Sequence, residues 1–292
     1  MPSKFRILHL SDLHERVATP HTAPERQALI KRTGAERHRV LGDALLAALD
    51  DVLCSGPIDF VCFTGDIADW GLPEEYEAAT KRVQQILQKL ALPPSRFLAV
   101  PGNHDVNRSR AKDALVAART LAKKQIEALS RWLGGESAPE GSDPDLKTAM
   151  RDRSEAFWRW VSAVRGDSEL SPRDSRYLGY RYTVPDFGTH FIGLDSAWLA
   201  HDDHDRSYLV LPKGQLDILC TDDGAALTGT RIALVHHPLN DLNHNHDTYT
   251  HLADHVDLLL HGHQHHHSAT EMSQGHGGSH SYLTAQKLAK FL

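Results

Sequence analysis

Phe97-Leu98-Ala99-Val100-Pro101-Gly102-Asn103-His104-Asp105-Val106 is a short apolar run that stops at Pro-Gly and then presents an amide, an imidazole and a carboxylate in succession. The apolar part has the length and composition of a buried strand, and Pro-Gly is a turn signal. Taken alone, Asn-His-Asp after a turn is an ordinary polar loop. Its meaning depends on whether other strands in the chain end the same way.

Working outward, they do. Residues 5–10 form an apolar run closed by Ser11-Asp12, and residues 59–64 form another closed by Gly65-Asp66. Between them, Val40, Leu41, Ala44, Leu45, Ala48, Leu49, Val52 and Leu53 keep helical spacing until Gly56-Pro57 ends it. Residues 16–36 are polar and proline-interrupted, which predicts a loop. Pro73 suits a first helical turn, and Val83, Ile86, Leu87 and Leu90 continue that helix. Strand, helix, strand, helix, strand predicts a mostly parallel sheet covered by helices.

The alternation breaks over residues 107–174, where helices are expected at 108–133 and 147–165 around a Gly-, Ser- and Pro-rich stretch at 134–146. This region reads as a helical cap or insertion within a single domain covering 1–292. Strands resume at 180–184 and 190–194, joined by the turn Pro185-Asp186-Phe187-Gly188, then at 231–235 and 256–260. Edge strands are expected near Thr270-Glu271 and at 281–284.

Composition narrows the function. A net charge of −6 carries no global basic field of the kind that advertises nucleic-acid binding. Three widely spaced cysteines, with no CxxC pair, suggest neither a disulfide framework nor a thiolate zinc site. The chain opens straight into a strand without the apolar core of a signal peptide, and no stretch has the length of a membrane span; a cytoplasmic protein with no membrane partner is expected. Histidine is the outlier at 21 residues, and neutral imidazole is the commonest metal ligand.

The strand ends gather that chemistry. Asp12 and His14 follow the first strand, Asp66 the second, and Asn103 and His104 the third. His236 and His237 follow residues 231–235, and His261, Gly262, His263 and His265 follow 256–260. Ligands of open α/β sheets sit beyond the carboxyl ends of the strands, so all these groups are expected on one edge. Oxygen and imidazole donors without thiolate suit Mn, Fe, Zn, Co or Ni. The donors outnumber what one ion with an open position accepts. A carboxylate can bridge two ions about 3.5–4 Å apart, the arrangement that clamps both oxygens of an in-line displacement at phosphorus.

In their order, Asp12-Leu13-His14, Gly65-Asp66, Gly102-Asn103-His104-Asp105, His236-His237-Pro238 and Gly262-His263-Gln264-His265 resemble the calcineurin-like metallophosphoesterases. The resemblance covers roughly residues 5–285. It implies a two-layer β-sandwich flanked by helices and a centre of two divalent transition-metal ions. By position, Asp12, His14, Asp66 and His265 would hold one ion, and Asp66, Asn103, His236 and His263 the other. His236 is preferred to His237 because the family usually places its ligand two residues before the proline. A metal-bridging hydroxide would attack phosphorus, and His104, not itself a ligand, would serve the leaving oxygen as a catalytic residue. Asp105 is assigned to the catalytic group as a partner of His104, with a ligand or a local cap as the other readings.

Block spacing resembles the bacterial phosphodiesterase branch, including class III cyclic-nucleotide enzymes and related nucleases, more than protein phosphatases. Arg108, Arg110, Lys112, Arg119, Lys123, Lys124 and Arg131 outnumber Asp113 and Glu127 between residues 107 and 132. That stretch is either a solvated face or a track for a nucleic-acid backbone. Arg108, Arg110 and His237 are accordingly candidate substrate-binding residues. Phe157, Trp158, Trp160, Tyr177, Tyr180 and Tyr182 either stack a base or fill core. The expected substrate is a phosphodiester of a nucleotide or nucleic acid. The alternatives are a phosphomonoester of a small molecule or phosphoprotein, and a non-catalytic scaffold that binds protein.

Overall fold

Three parallel strands build the first sheet, in the order β1 (Ile7–Leu10), β2 (Phe60–Thr64), β3 (Phe97–Val100). The computed structural model describes residues 5–19, 22–172, 178–202, 205–206, 208–243, 245–264, 268–273 and 281–286. Ile7 pairs with Phe60, and Val61 with Phe97. Every residue of β2 and β3 is buried, which is why these strands read as continuous apolar runs rather than alternating ones.

Helices α1 (Pro24–Arg39) and α2 (Leu45–Cys54), joined by a π-helical segment at Val40–Ala44, link β1 to β2; α3 (Pro73–Lys89) links β2 to β3. Helix α1 occupies most of the stretch predicted to be a loop. Pro24 stands at its first position, and Glu25, Arg26, Gln27, Ala28 and Leu29 are good helix formers. Most of its described side chains are exposed, so no apolar stripe marks it in the sequence.

The insertion contains four helices rather than two: α4 (Lys112–Lys124), α5 (Ile126–Leu133), α6 (Leu146–Arg151) and α7 (Glu155–Arg165). Gln125, at φ −143° and ψ 48°, breaks the first pair. Residues 152–154 break the second and turn Arg153 inward until it is 1% exposed. Its guanidinium donates to the carbonyls of Trp198 (3.0 Å) and Ala200, tying the insertion to the loop that contains them. Phe157, Trp158, Trp160 and Tyr180 are core residues, with Tyr76 and Trp160 stacked at 5.5 Å. Tyr182 is partly buried against the same core, and Tyr177 lies outside the described residues.

The second sheet is mixed. Its chain order is β4 (Gly179–Val184), β5 (Thr189–Leu194), α8 (Lys213–Cys220), the small hairpin β6 (Thr221–Asp222) and β7 (Ala225–Ala226), β8 (Thr230–Val235), α9 (Asn245–His255), β9 (Leu258–His261), β10 (Ser268–Ser273) and β11 (Ser281–Gln286). In space the strands run β10-β11-β9-β8-β5-β4, with β11, β9, β8 and β5 parallel and the outer strands antiparallel. Strands β2 and β3 lie against β5 and β8, and the sheets share a core containing Phe60, Phe97 and Phe191. This is the helix-flanked β-sandwich expected. Among the described residues no helix is long and apolar enough to cross a membrane.

Candidate metal centre

The strands that carry the predicted donors run parallel within their sheets, so their loops leave at one edge. Backbone geometry there is unusual. Asp12, His14, Asp66 and His263 have φ of 60°, 48°, 57° and 72°, a left-handed region that non-glycine residues rarely occupy. Such positions cluster where the surrounding structure enforces them. Here Asp12 N–H donates to the Gly65 carbonyl at 3.0 Å and His14 N–H to the Asp66 carbonyl at 2.7 Å. Gly102 permits the last approach, since a Cβ there would fall 2.2 Å from Asp66 Oδ1.

The side chains converge. Nε2 of His236 lies 3.3 Å from Asp66 Oδ2, 3.0 Å from Asn103 Oδ1 and 3.2 Å from His263 Nδ1. Its Nδ1–H donates to the Thr64 carbonyl at 2.7 Å, which directs the Nε2 lone pair toward those acceptors in the neutral ring. Lone pairs facing lone pairs is an arrangement that a cation resolves. Asp12, His14 and Asp66 form a second group whose donor atoms lie within 4.8 Å of one another, and His14 Nε2 is 3.7 Å from Asp66 Oδ2. Asp66 thus belongs to both groups, and the donor set fits a pair of divalent ions.

Burial works to lower the His236 pKa, but the Asp66 carboxylate outweighs it and holds the ring up at about 9. Burial likewise opposes ionisation of Asp66, yet His236 and His14 hold its carboxyl well below the usual range. Burial, with His236 beside it, pushes His263 down to about 4.

Asp69 is a site residue that the sequence reading missed. Its backbone carbonyl lies 2.8 Å from His104 Nδ1, and its carboxylate lies 3.2 Å from His14 Nδ1 and 2.7 Å from Arg16 Nε. Burial raises its pKa, but His14 and Arg16 prevail and hold it at about 2. The signal available was a carboxylate three positions after Asp66, preceded by the apolar pair Ile67-Ala68.

Other predicted residues sit differently. Asp105 is fully buried, and its carboxylate accepts the N–H groups of Gly102 (2.9 Å), Ile67 (3.1 Å) and Ala68 (2.9 Å). It holds two loops together. His104 is the more open group, with a side chain 22% exposed against 2% for Asp66 and 0% for His236. His237 is buried, with Nδ1 2.8 Å from Ser196 Oγ, yet it shares a three-imidazole group with His236 and His263. Arg108 Nε reaches the Asn103 carbonyl at 3.3 Å, whereas Arg110 pairs with Glu155 at 3.0 Å within the insertion. His265 lies outside the described residues. The basic stretch is not one open face: Arg119 donates to the Leu199 carbonyl at 2.9 Å and pairs with Asp205.

Comparison with curated proteins returns no significant match. The calcineurin-like phosphoesterase profile, however, matches residues 5–267, which span the first sheet, strands β4, β5, β8 and β9 of the second, and the described donor groups. The chain belongs to the calcineurin-like phosphoesterase family.

Proposed function

We propose that this chain is a phosphodiesterase acting on a nucleotide or nucleic acid at a dinuclear metal centre. The observation that carries the reading is the convergence of His236 Nε2, Asn103 Oδ1, His263 Nδ1 and Asp66 Oδ2, all able to accept and none needing to donate. Asp12, His14, Asp66 and His265 would hold one divalent ion, and Asp66, Asn103, His236 and His263 the other. Such ions supply Lewis acidity and lower the pKa of water toward neutrality.

The chain's own residues supply the rest. His104 stands beside the cluster with Nδ1 committed to the Asp69 carbonyl. With Nδ1–H donating to that carbonyl, Nε2 is the nitrogen that would serve the leaving oxygen. Asp105 acts as a positioning residue, fixing Gly102 and the backbone around Asp66. Arg108, whose Nε donates to the Asn103 carbonyl, would meet a phosphate oxygen. The experiment is to load the protein with Mn²⁺ and compare bis-(p-nitrophenyl) phosphate with p-nitrophenyl phosphate. Faster diester cleavage supports the reading, faster monoester cleavage replaces it with a monoesterase, and no turnover of either rejects the enzyme.

A further inference from the structure

A second pair of imidazoles lies away from this cluster, on α9. His251 and His255 are one helical turn apart and share a face, with ring centroids 4.6 Å apart and planes inclined at 48°. The His251 side chain is 10% exposed, and its Nδ1 lies 3.6 Å from Asp217 Oδ1 on α8. Its other nitrogen, Nε2, and Nδ1 of His255 are both buried without a hydrogen-bond partner. Buried polar atoms are normally satisfied, so two such nitrogens on adjacent rings call for an explanation. Packing does not supply one, because Leu252, Ala253 and Val256 bury this segment's core contacts.

We propose that His251 Nε2 and His255 Nδ1 together bind one divalent transition-metal ion, with water completing its coordination. A bond from the His251 ring to the Leu216 carbonyl, with the Asp217 carboxylate 3.6 Å from Nδ1, backs the imidazole in the tautomer that leaves the Nε2 lone pair toward the ion. Burial, aided by His255, also lowers the His251 pKa and keeps the ring neutral. Two imidazoles without thiolate favour Cu²⁺, Ni²⁺ or Zn²⁺ over Mn²⁺. The ion would staple the last turn of α9, from which the chain enters β9 and then His263.

Copper titration followed by electron paramagnetic resonance tests this in the full chain. Wild type should bind one more Cu²⁺ per chain than His255→Asn, and His255→Asn should keep Mn²⁺-dependent diester hydrolysis within about twofold. The extra equivalent should persist in Asp66→Asn, which separates this site from the proposed catalytic one. Equal copper binding by wild type and His255→Asn overturns the proposal, as does loss of the extra equivalent in Asp66→Asn.

Discussion

His104 Nδ1 lies 2.8 Å from the main-chain oxygen of Asp69 and 3.7 Å from its carboxylate. One residue therefore fixes the orientation of the imidazole and places a negative charge beside it. Removing the proton donor should lower kcat by about 10²- to 10⁴-fold in His104→Ala. Asp69→Asn keeps the carbonyl and loses the charge, so a smaller loss, on the order of tenfold, is expected. Residues that act as a unit are not additive. The double variant should be no slower than His104→Ala, and additive losses would separate Asp69 from His104.

Asp105 is proposed as a structural clamp. Replacing its carboxylate by an amide leaves at least one of the three N–H groups at Gly102, Ile67 and Ala68 facing a donor. Asp105→Asn should cost about 1–3 kcal/mol in the metal-free protein, the penalty for a buried unsatisfied group. Urea unfolding measures it. An unchanged midpoint with abolished turnover would instead return Asp105 to the catalytic group.

Glu75 gives a pH test well inside the fold. It is fully buried, and its carboxylate accepts the N–H groups of Trp70 at 3.0 Å and Leu72 at 3.1 Å. Burial outweighs these donors and lifts its pKa from 4.5 to about 7. The folded chain therefore keeps this proton where the unfolded chain has released it. Stability should fall as pH rises from about 4.5 to about 7, by at most about 3 kcal/mol for this group. Glu75→Gln removes that contribution. Unfolding free energies at pH 5 and pH 7.5 should show the variant gaining relative to wild type at the higher pH, and a constant difference would contradict the shift.

Arg119 and Arg108 are expected to respond differently to truncation. Arg119 is engaged with Leu199 and Asp205, so Arg119→Ala should destabilise the insertion without a specific effect on substrate. Arg108 sits beside Asn103, and Arg108→Ala should raise KM for a diester by about 10- to 150-fold, as expected for a charged hydrogen bond worth about 1.5–3 kcal/mol. Steady-state kinetics with folding controls distinguishes the two. An unchanged KM in Arg108→Ala removes it from the substrate site.

The fold and the donor cluster were legible because both depend on local sequence. Buried parallel strands print as unbroken apolar runs, and the donors stand directly after them. What was not legible depended on distant partners. The bonds from Ile67 and Ala68 to the Asp105 carboxylate come from nearly forty positions away and leave no local trace. Arg119 looked like part of a solvated face because Leu199 lies 80 positions further on. Helix α1 carries no apolar stripe to announce it, and Arg153 breaks a predicted helix by turning into the interior.

The most direct test combines metal content with turnover. Mn²⁺ is the suitable ion, since a two-imidazole site on α9 would hold it weakly. The expected result is two Mn²⁺ per chain, loss of bis-(p-nitrophenyl) phosphate hydrolysis on chelation, recovery on reloading, and failure of His236→Ala to recover. A folded protein carrying two Mn²⁺ that cleaves neither diester nor monoester would contradict it.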